Sequence, residues 1–116
     1  MTPESIERYV IDKVPQGEFS VHRDVFRDPA LFELEMKHIF ESTWIFLGFA
    51  AQAPNAHDYF TGWIGRTPIV VMRSAEGKLG AYINSCRHRG AVICHHERGN
   101  AKYHVCNYHG WAYDST

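Results

Sequence analysis

No stretch of this chain approaches eighteen consecutive apolar residues, so it offers no candidate membrane-spanning helix. The first twenty residues carry Glu4, Glu7, Arg8, Asp12, Lys13 and Glu18, and no secretory leader is expected where charge interrupts every apolar run. An excess of charge is missing too. A formal net charge of −1 leaves no electrostatic footprint for nucleic acid or a membrane surface, although eight histidines would make that charge climb below about pH 6.5. There are only three cysteines, an odd number that makes no disulfide framework and suits a reducing compartment, so a cytoplasmic location is expected. No internal repeat or low-complexity segment occurs. What remains is an ordinary globular composition, 45% hydrophobic and 14% aromatic, in 116 residues, enough for a modest core.

Turn and period signals place the elements. Pro3 and Glu4 open a short helix through Lys13, stopped by Val14-Pro15 and Gly17. Asp28-Pro29 is a stronger start, an N-cap carboxylate followed by proline where an N–H would have no partner. From there Phe32, Met36, Ile39, Phe40 and Thr43 recur at helical spacing, which predicts a helix from Pro29 to about Ser42 with that stripe as core. Beyond it the runs shorten to strands at Trp44 to Ala50, Asp58 to Ile64, Pro68 to Arg73 and Leu79 to Asn84. Ala53-Pro54-Asn55, Gly65-Arg66 and Glu76-Gly77-Lys78 break them, with Glu76-Gly77 as a hairpin tip. Tyr103 to Cys106 and Trp111 to Tyr113 add two more. The expected fold is mainly β: a small antiparallel barrel or sandwich over 44–116, preceded by an N-terminal arm and helix over 1–43.

The chemistry concentrates between residues 84 and 113. Asn84 to Gly90 reads N-S-C-R-H-R-G and Cys106 to Tyr113 reads C-N-Y-H-G-W-A-Y, giving two mixed pairs, Cys86 with His88 and Cys106 with His109. Zinc knuckles usually present two like ligands each, whereas here each pair mixes thiol and imidazole. A centre with two different metals explains the mixing, because a Rieske [2Fe-2S] cluster keeps two thiolates on one iron and two imidazoles on the other. Cys86 and Cys106 would hold the inner iron, His88 and His109 the outer. Gly90 and Gly110 follow the histidines where a Cβ would obstruct a loop bending round inorganic sulfide, and two hairpin tips would face each other across the cluster. Structural zinc on the same four residues, and plain packing of buried cysteine, stay open on this reading.

The segment N-x-C-x-H-R-G, then G-N, then C-x-Y-H-G-W-x-Y resembles the Rieske domain of the α subunit of bacterial aromatic-ring-hydroxylating dioxygenases. Asp24 to Trp44 resembles the same subunit in its benzoate, anthranilate and halobenzoate branch, so the likeness covers about residues 20 to 116. It implies a [2Fe-2S] cluster fed by a reductase or ferredoxin and passing electrons to a mononuclear non-haem iron that dihydroxylates an aromatic ring. It also implies neighbouring α subunits and a β subunit as partners. That iron would lie in a catalytic domain expected beyond Thr116, so the chain is expected to be a fragment without oxygenase activity of its own. High-potential Rieske clusters carry an extra cysteine in each loop and a serine. Ala91, Tyr108 and Trp111 stand in those places, which predicts a potential toward the low end of about −150 to +300 mV. The alternative is a free-standing Rieske ferredoxin, which a helix such as Pro29 to Ser42 argues against.

Around the ligands, Arg89 is expected to brace the loop or an acidic neighbour, Trp111 to pack under the cluster and Tyr108 to shield one side. Arg87 reads as solvated loop charge. Cys94-His95-His96-Glu97 suggests a second metal, but adjacent residues on an extended strand point to opposite faces, so Cys94 is read as a buried structural thiol.

Overall fold

A computed structural model describes residues 6–115 of the chain. Two compact units emerge, Met1–Trp44 and Ile45–Thr116.

In the first unit, strands β1 (Val10–Lys13) and β2 (Glu18–Val21) pair antiparallel from Val10 opposite Val21 to Lys13 opposite Glu18. Residues 3 to 5 of the helix expected at Pro3 to Lys13 lie outside the described residues, and its last four residues are this strand instead. β-Branched Val10 and Ile11 favour the pleat, a single 3₁₀ turn at Val14–Gln16 reverses the chain, and Gly17 closes it in the left-handed region at φ 65°. Lys13 then reaches Glu18 across the pair at 2.8 Å.

The helix begins where expected. Asp28 accepts from the amides of Ala30 and Leu31 at 2.9 and 3.3 Å, opening α1 (Pro29–Glu35). Its end differs, because Met36–Phe40 continue as a π turn in which the Glu41 amide donates to Met36 O at 2.9 Å. The wider turn breaks the expected stripe. Leu31 and Met36, five residues apart, are buried with Tyr9, while Phe32, Ile39 and Phe40 are exposed.

The second unit is built on a sheet in the order β5-β4-β3-β6, with β3 at Asp58–Ile64, β4 at Thr67–Arg73, β5 at Leu79–Ile83 and β6 at Arg98–Asn100. Gly65 at φ 54° and Arg66 make the two-residue turn between β3 and β4, and Gly77 at φ 83° shapes the tip between β4 and β5. Strand β4 is buried on both faces. Ile69 and Val71 pack with Ala53 and Phe60 on one side, Val70 and Met72 with Tyr59 and Cys94 on the other. At about 2 kcal/mol for each large apolar side chain removed from water, these two clusters anchor the unit. A separate pair, β7 (Tyr103–Val105) and β8 (Ala112–Asp114), completes it. The sheets are antiparallel as expected, and they do not close into a barrel.

Two expectations about strands need correction. Trp44 to Ala50 has no ladder: the Phe49 amide donates to Gln52 Oε1 at 2.7 Å, and Arg73 donates to the carbonyls of Ala50 and Ala53, so side chains take the backbone groups a strand would offer. A Cβ on Gly48 would meet Gln52 Oε1 at 2.5 Å, which fixes glycine at that close approach. Strand β6 was not foreseen, because Arg98-Gly99-Asn100 holds no apolar residue. It exists because Gly99 lies opposite Tyr59, whose ring covers it.

Candidate metal centre

The first ligand loop leaves β5, and the chain then crosses to β6 on the opposite edge of the sheet. It is a crossover rather than the hairpin tip expected. The second loop does cap a hairpin, between β7 and β8.

Despite that difference the two loops are built alike. Cys86 O accepts from the Gly90 amide at 2.8 Å and Cys106 O accepts from Gly110 at 2.9 Å. The Cys86 and Cys106 amides donate to Ala91 O and Trp111 O, both at 2.8 Å. Gly90 and Gly110 have φ 76° and 77°, in the left-handed region where a Cβ is strained. That backbone conformation is why both are glycine. A Cβ on Gly110 would meet nothing within 4 Å and one on Gly90 only Ser85 Oγ at 3.7 Å, so the obstruction expected does not come from the protein. The turns differ in one respect, since the histidine stands two residues past Cys86 and three past Cys106.

The two turns sort the ligands by kind. Cys86 and Cys106 are buried at 4% and 2% exposure, and Cys106 is close enough to hydrogen-bond Cys86. His88 and His109 are exposed, with ring centroids 4.7 Å apart at 69°. Trp111 stacks on His88 at 4.9 Å and 8°. Tyr108 leans on His109 at 4.0 Å, and the Arg89 guanidinium lies 5.8 Å from the Tyr108 ring centre, bracing an aromatic rather than an acid. Among the described residues no three His, Cys, Asp or Glu side chains converge so as to hold a single ion. Two buried thiols set apart from two exposed imidazoles would suit a centre with two different irons, thiolates on one and imidazoles on the other.

Two residues at the site went unassigned in the sequence. The Tyr113 hydroxyl accepts from the Arg87 amide at 3.0 Å, which leaves its proton for Cys86 Sγ at 3.1 Å. This hydrogen bond, followed by the surrounding amides, holds the Cys86 thiol below its ordinary value, and the same contact pushes Tyr113 up. Asn84 is buried and staples the loop base: Nδ2 donates to Cys94 O at 2.8 Å, while Oδ1 accepts from Cys94 and Ile93 at 2.8 and 3.2 Å. No local pattern marks either role, because Tyr113 and Asn84 act through partners that the fold brings to them.

Cys94 is buried as expected, and its Sγ lies 3.2 Å from Nδ1 of buried His104. Burial pushes the thiol up to about 11 and the imidazole down. His95 and His96 are exposed and do not join it.

An antiparallel β unit presenting two matched Cys/His turns, thiols inward and imidazoles outward, defines an iron–sulfur electron-transfer module. The Rieske [2Fe-2S] domain profile matches residues 43–116, and the chain belongs to that family. It is 42% identical over 111 residues to toluate 1,2-dioxygenase subunit alpha of Pseudomonas putida, covering 96% of this chain and 24% of that one. It is 44% identical to the 2-halobenzoate 1,2-dioxygenase large subunit of Burkholderia cepacia over 86% of this chain and 22% of that one. The crystal structure of naphthalene 1,2-dioxygenase from Rhodococcus sp. bound to indole superposes with a TM-score of 0.77 at 34% identity, covering 81% and 21% of the two chains. The chain thus spans about a fifth to a quarter of the length of these relatives.

Proposed function

We propose that this chain is the electron-transfer part of an aromatic-ring-hydroxylating dioxygenase large subunit, with 44–116 as the cluster domain and 1–43 as a peripheral arm. The observation that carries the reading is the sorting of two buried thiols from two exposed imidazoles by loops of one design. Cys86 and Cys106 hold the inner iron, and His88 and His109 the outer. A bound [2Fe-2S] cluster supplies one-electron storage at a potential that imidazole ligation raises above four-cysteine ferredoxins.

The chain's own residues do the rest. Asn84 fixes the loop base, Tyr113 donates to the Cys86 sulfur, and Trp111 and Tyr108 orient the two rings whose outer edges meet solvent. Likeness to a dioxygenase subunit over 111 residues reaches upstream of the cluster domain, which favours this reading over a free-standing ferredoxin. A reductase or ferredoxin supplies the electron and a mononuclear non-haem iron elsewhere in the full protein receives it. Relatives named for toluate and halobenzoate point to a carboxylated arene as substrate. No helix among the described residues is long and apolar enough to cross a membrane, and the reading places the protein in the cytoplasm.

The test is an absorption and low-temperature EPR spectrum of anaerobically purified protein before and after dithionite, with iron, sulfide and zinc counted. About two irons per chain and a reduced mixed-ligand signal are expected. One zinc and no signal after reconstitution with iron and sulfide would overturn the proposal.

A further inference from the structure

The two ligand loops belong to different sheets. The first leaves β5 and the second joins β7 to β8, and among the described residues no ladder ties that pair to the four-stranded sheet. Side chains make the connection instead. Tyr113 provides one contact, to Cys86 at the ligands themselves. Another lies at the root of both loops.

Asn84 stands two residues before Cys86, and His104 two residues before Cys106. Between them lies Cys94, which is outside the ligand set. Asn84 holds its backbone from both sides, Nδ2 donating to Cys94 O and Oδ1 accepting from Cys94 N, each at 2.8 Å. Burial keeps the Cys94 thiol protonated, so Sγ donates to His104 Nδ1 at 3.2 Å. All three residues are buried, and Cys94 packs with Tyr59, Val70 and Met72, which anchors this run of contacts in the sheet core. His104 Nε2 is buried as well and meets no hydrogen-bonding partner among the described residues. An apolar ring at this position would fill the same space without that unpaired nitrogen, so what the imidazole adds is its bond to Cys94.

We infer that Asn84, Cys94 and His104 form a buried strut that fixes the distance between the two ligand loops, with Cys94 and His104 as positioning residues for the cluster. The inference rests on the cluster reading above and gives the third cysteine a part in it. Supporting contacts of this kind strengthen metal retention by about ten- to a hundredfold.

The cluster-loaded protein, its spectrum checked first, is challenged with an iron chelator, and bleaching is timed while far-ultraviolet circular dichroism confirms the fold. C94A and H104F should each speed cluster loss by about tenfold. The double variant should bleach no faster than either single one, because one shared contact is removed only once. C94S, which keeps a donor for Nδ1, should return to within about threefold of the unchanged protein. V70A, which opens a cavity in the same core cluster and breaks no polar contact, should lower the urea midpoint yet leave bleaching within about twofold. Unaltered bleaching in C94A and H104F, additive losses in the double variant, or an equal loss from V70A overturn the strut and leave the cluster reading intact. An unchanged protein that never shows the cluster spectrum overturns both.

Discussion

A hydroxyl 3.1 Å from a ligand sulfur bears directly on electron affinity. Tyr113 donates to Cys86 Sγ when that sulfur is a ligand thiolate with no proton to give, while its oxygen accepts from the Arg87 amide. A donor to a ligand thiolate favours the more electron-rich, reduced state. Tyr113→Phe should therefore lower the midpoint potential by on the order of tens of millivolts, read by spectroelectrochemical titration. An unchanged potential would remove Tyr113 from the tuning of the site. Cys94 gives a second test at this scale. Burial raises its thiol from 9.0 to about 11, so below pH 9 native and unfolded chains are both protonated and the full stability is present. Between pH 9 and about 11 the unfolded chain ionises first and stability is lost, by about 1 to 2 kcal/mol. Cys94→Ala should flatten that decline in urea midpoints taken across this window, whatever it does to stability at pH 7.

Elements depend on single contacts in the same way. Strand β6 has no apolar side chain, and its register is set by Gly99 beneath the Tyr59 ring. A Cβ there would meet Tyr59 Oη at 2.8 Å and the ring at 2.9 Å, so Gly99→Ala should cost about 1 to 3 kcal/mol in denaturant unfolding. Gly17→Ala, with nothing within 4 Å but φ 65°, makes a comparison in which only backbone strain acts. Strands β3, β4 and β5 were legible in the sequence because short runs rich in β-branched and aromatic residues are separated by glycine turns. The Asp28 cap was legible for similar local reasons. What could not be read depended on partners distant in the chain: β6 on Tyr59, the irregular run after Trp44 on Arg73, and the π turn at Met36 on packing that overrides a 3.6-residue stripe. The four cluster residues stood out by type and spacing. The contact between Tyr113 and Cys86, 27 residues apart, is set by the fold and has no local signature.

For the whole molecule, the sheet core and the ligand loops are separable. The two clusters flanking β4 contain neither ligand cysteine, and the turns at Cys86 and Cys106 are closed by the chain's own hydrogen bonds. Removing metal should therefore leave the domain folded, unlike a zinc finger that unfolds without its ion. Hydrogen exchange of the metal-free protein should show unchanged protection across β3 and β4, with the Gly90 and Gly110 amides still protected. Loss of protection throughout the sheet would show instead that the cluster holds the fold together.

Turns closed by the chain's own hydrogen bonds also change what selects the metal. A site that folds around its ion rejects wrong ions by failing to fold, and a domain whose core clusters exclude the ligand cysteines gives up that proofreading step. Thiolate and imidazole are ligand types that zinc and copper take as well as iron. Choosing correctly then falls to whatever delivers iron and sulfide together, so the purity of the loaded protein will record the quality of delivery more than the affinity of the site.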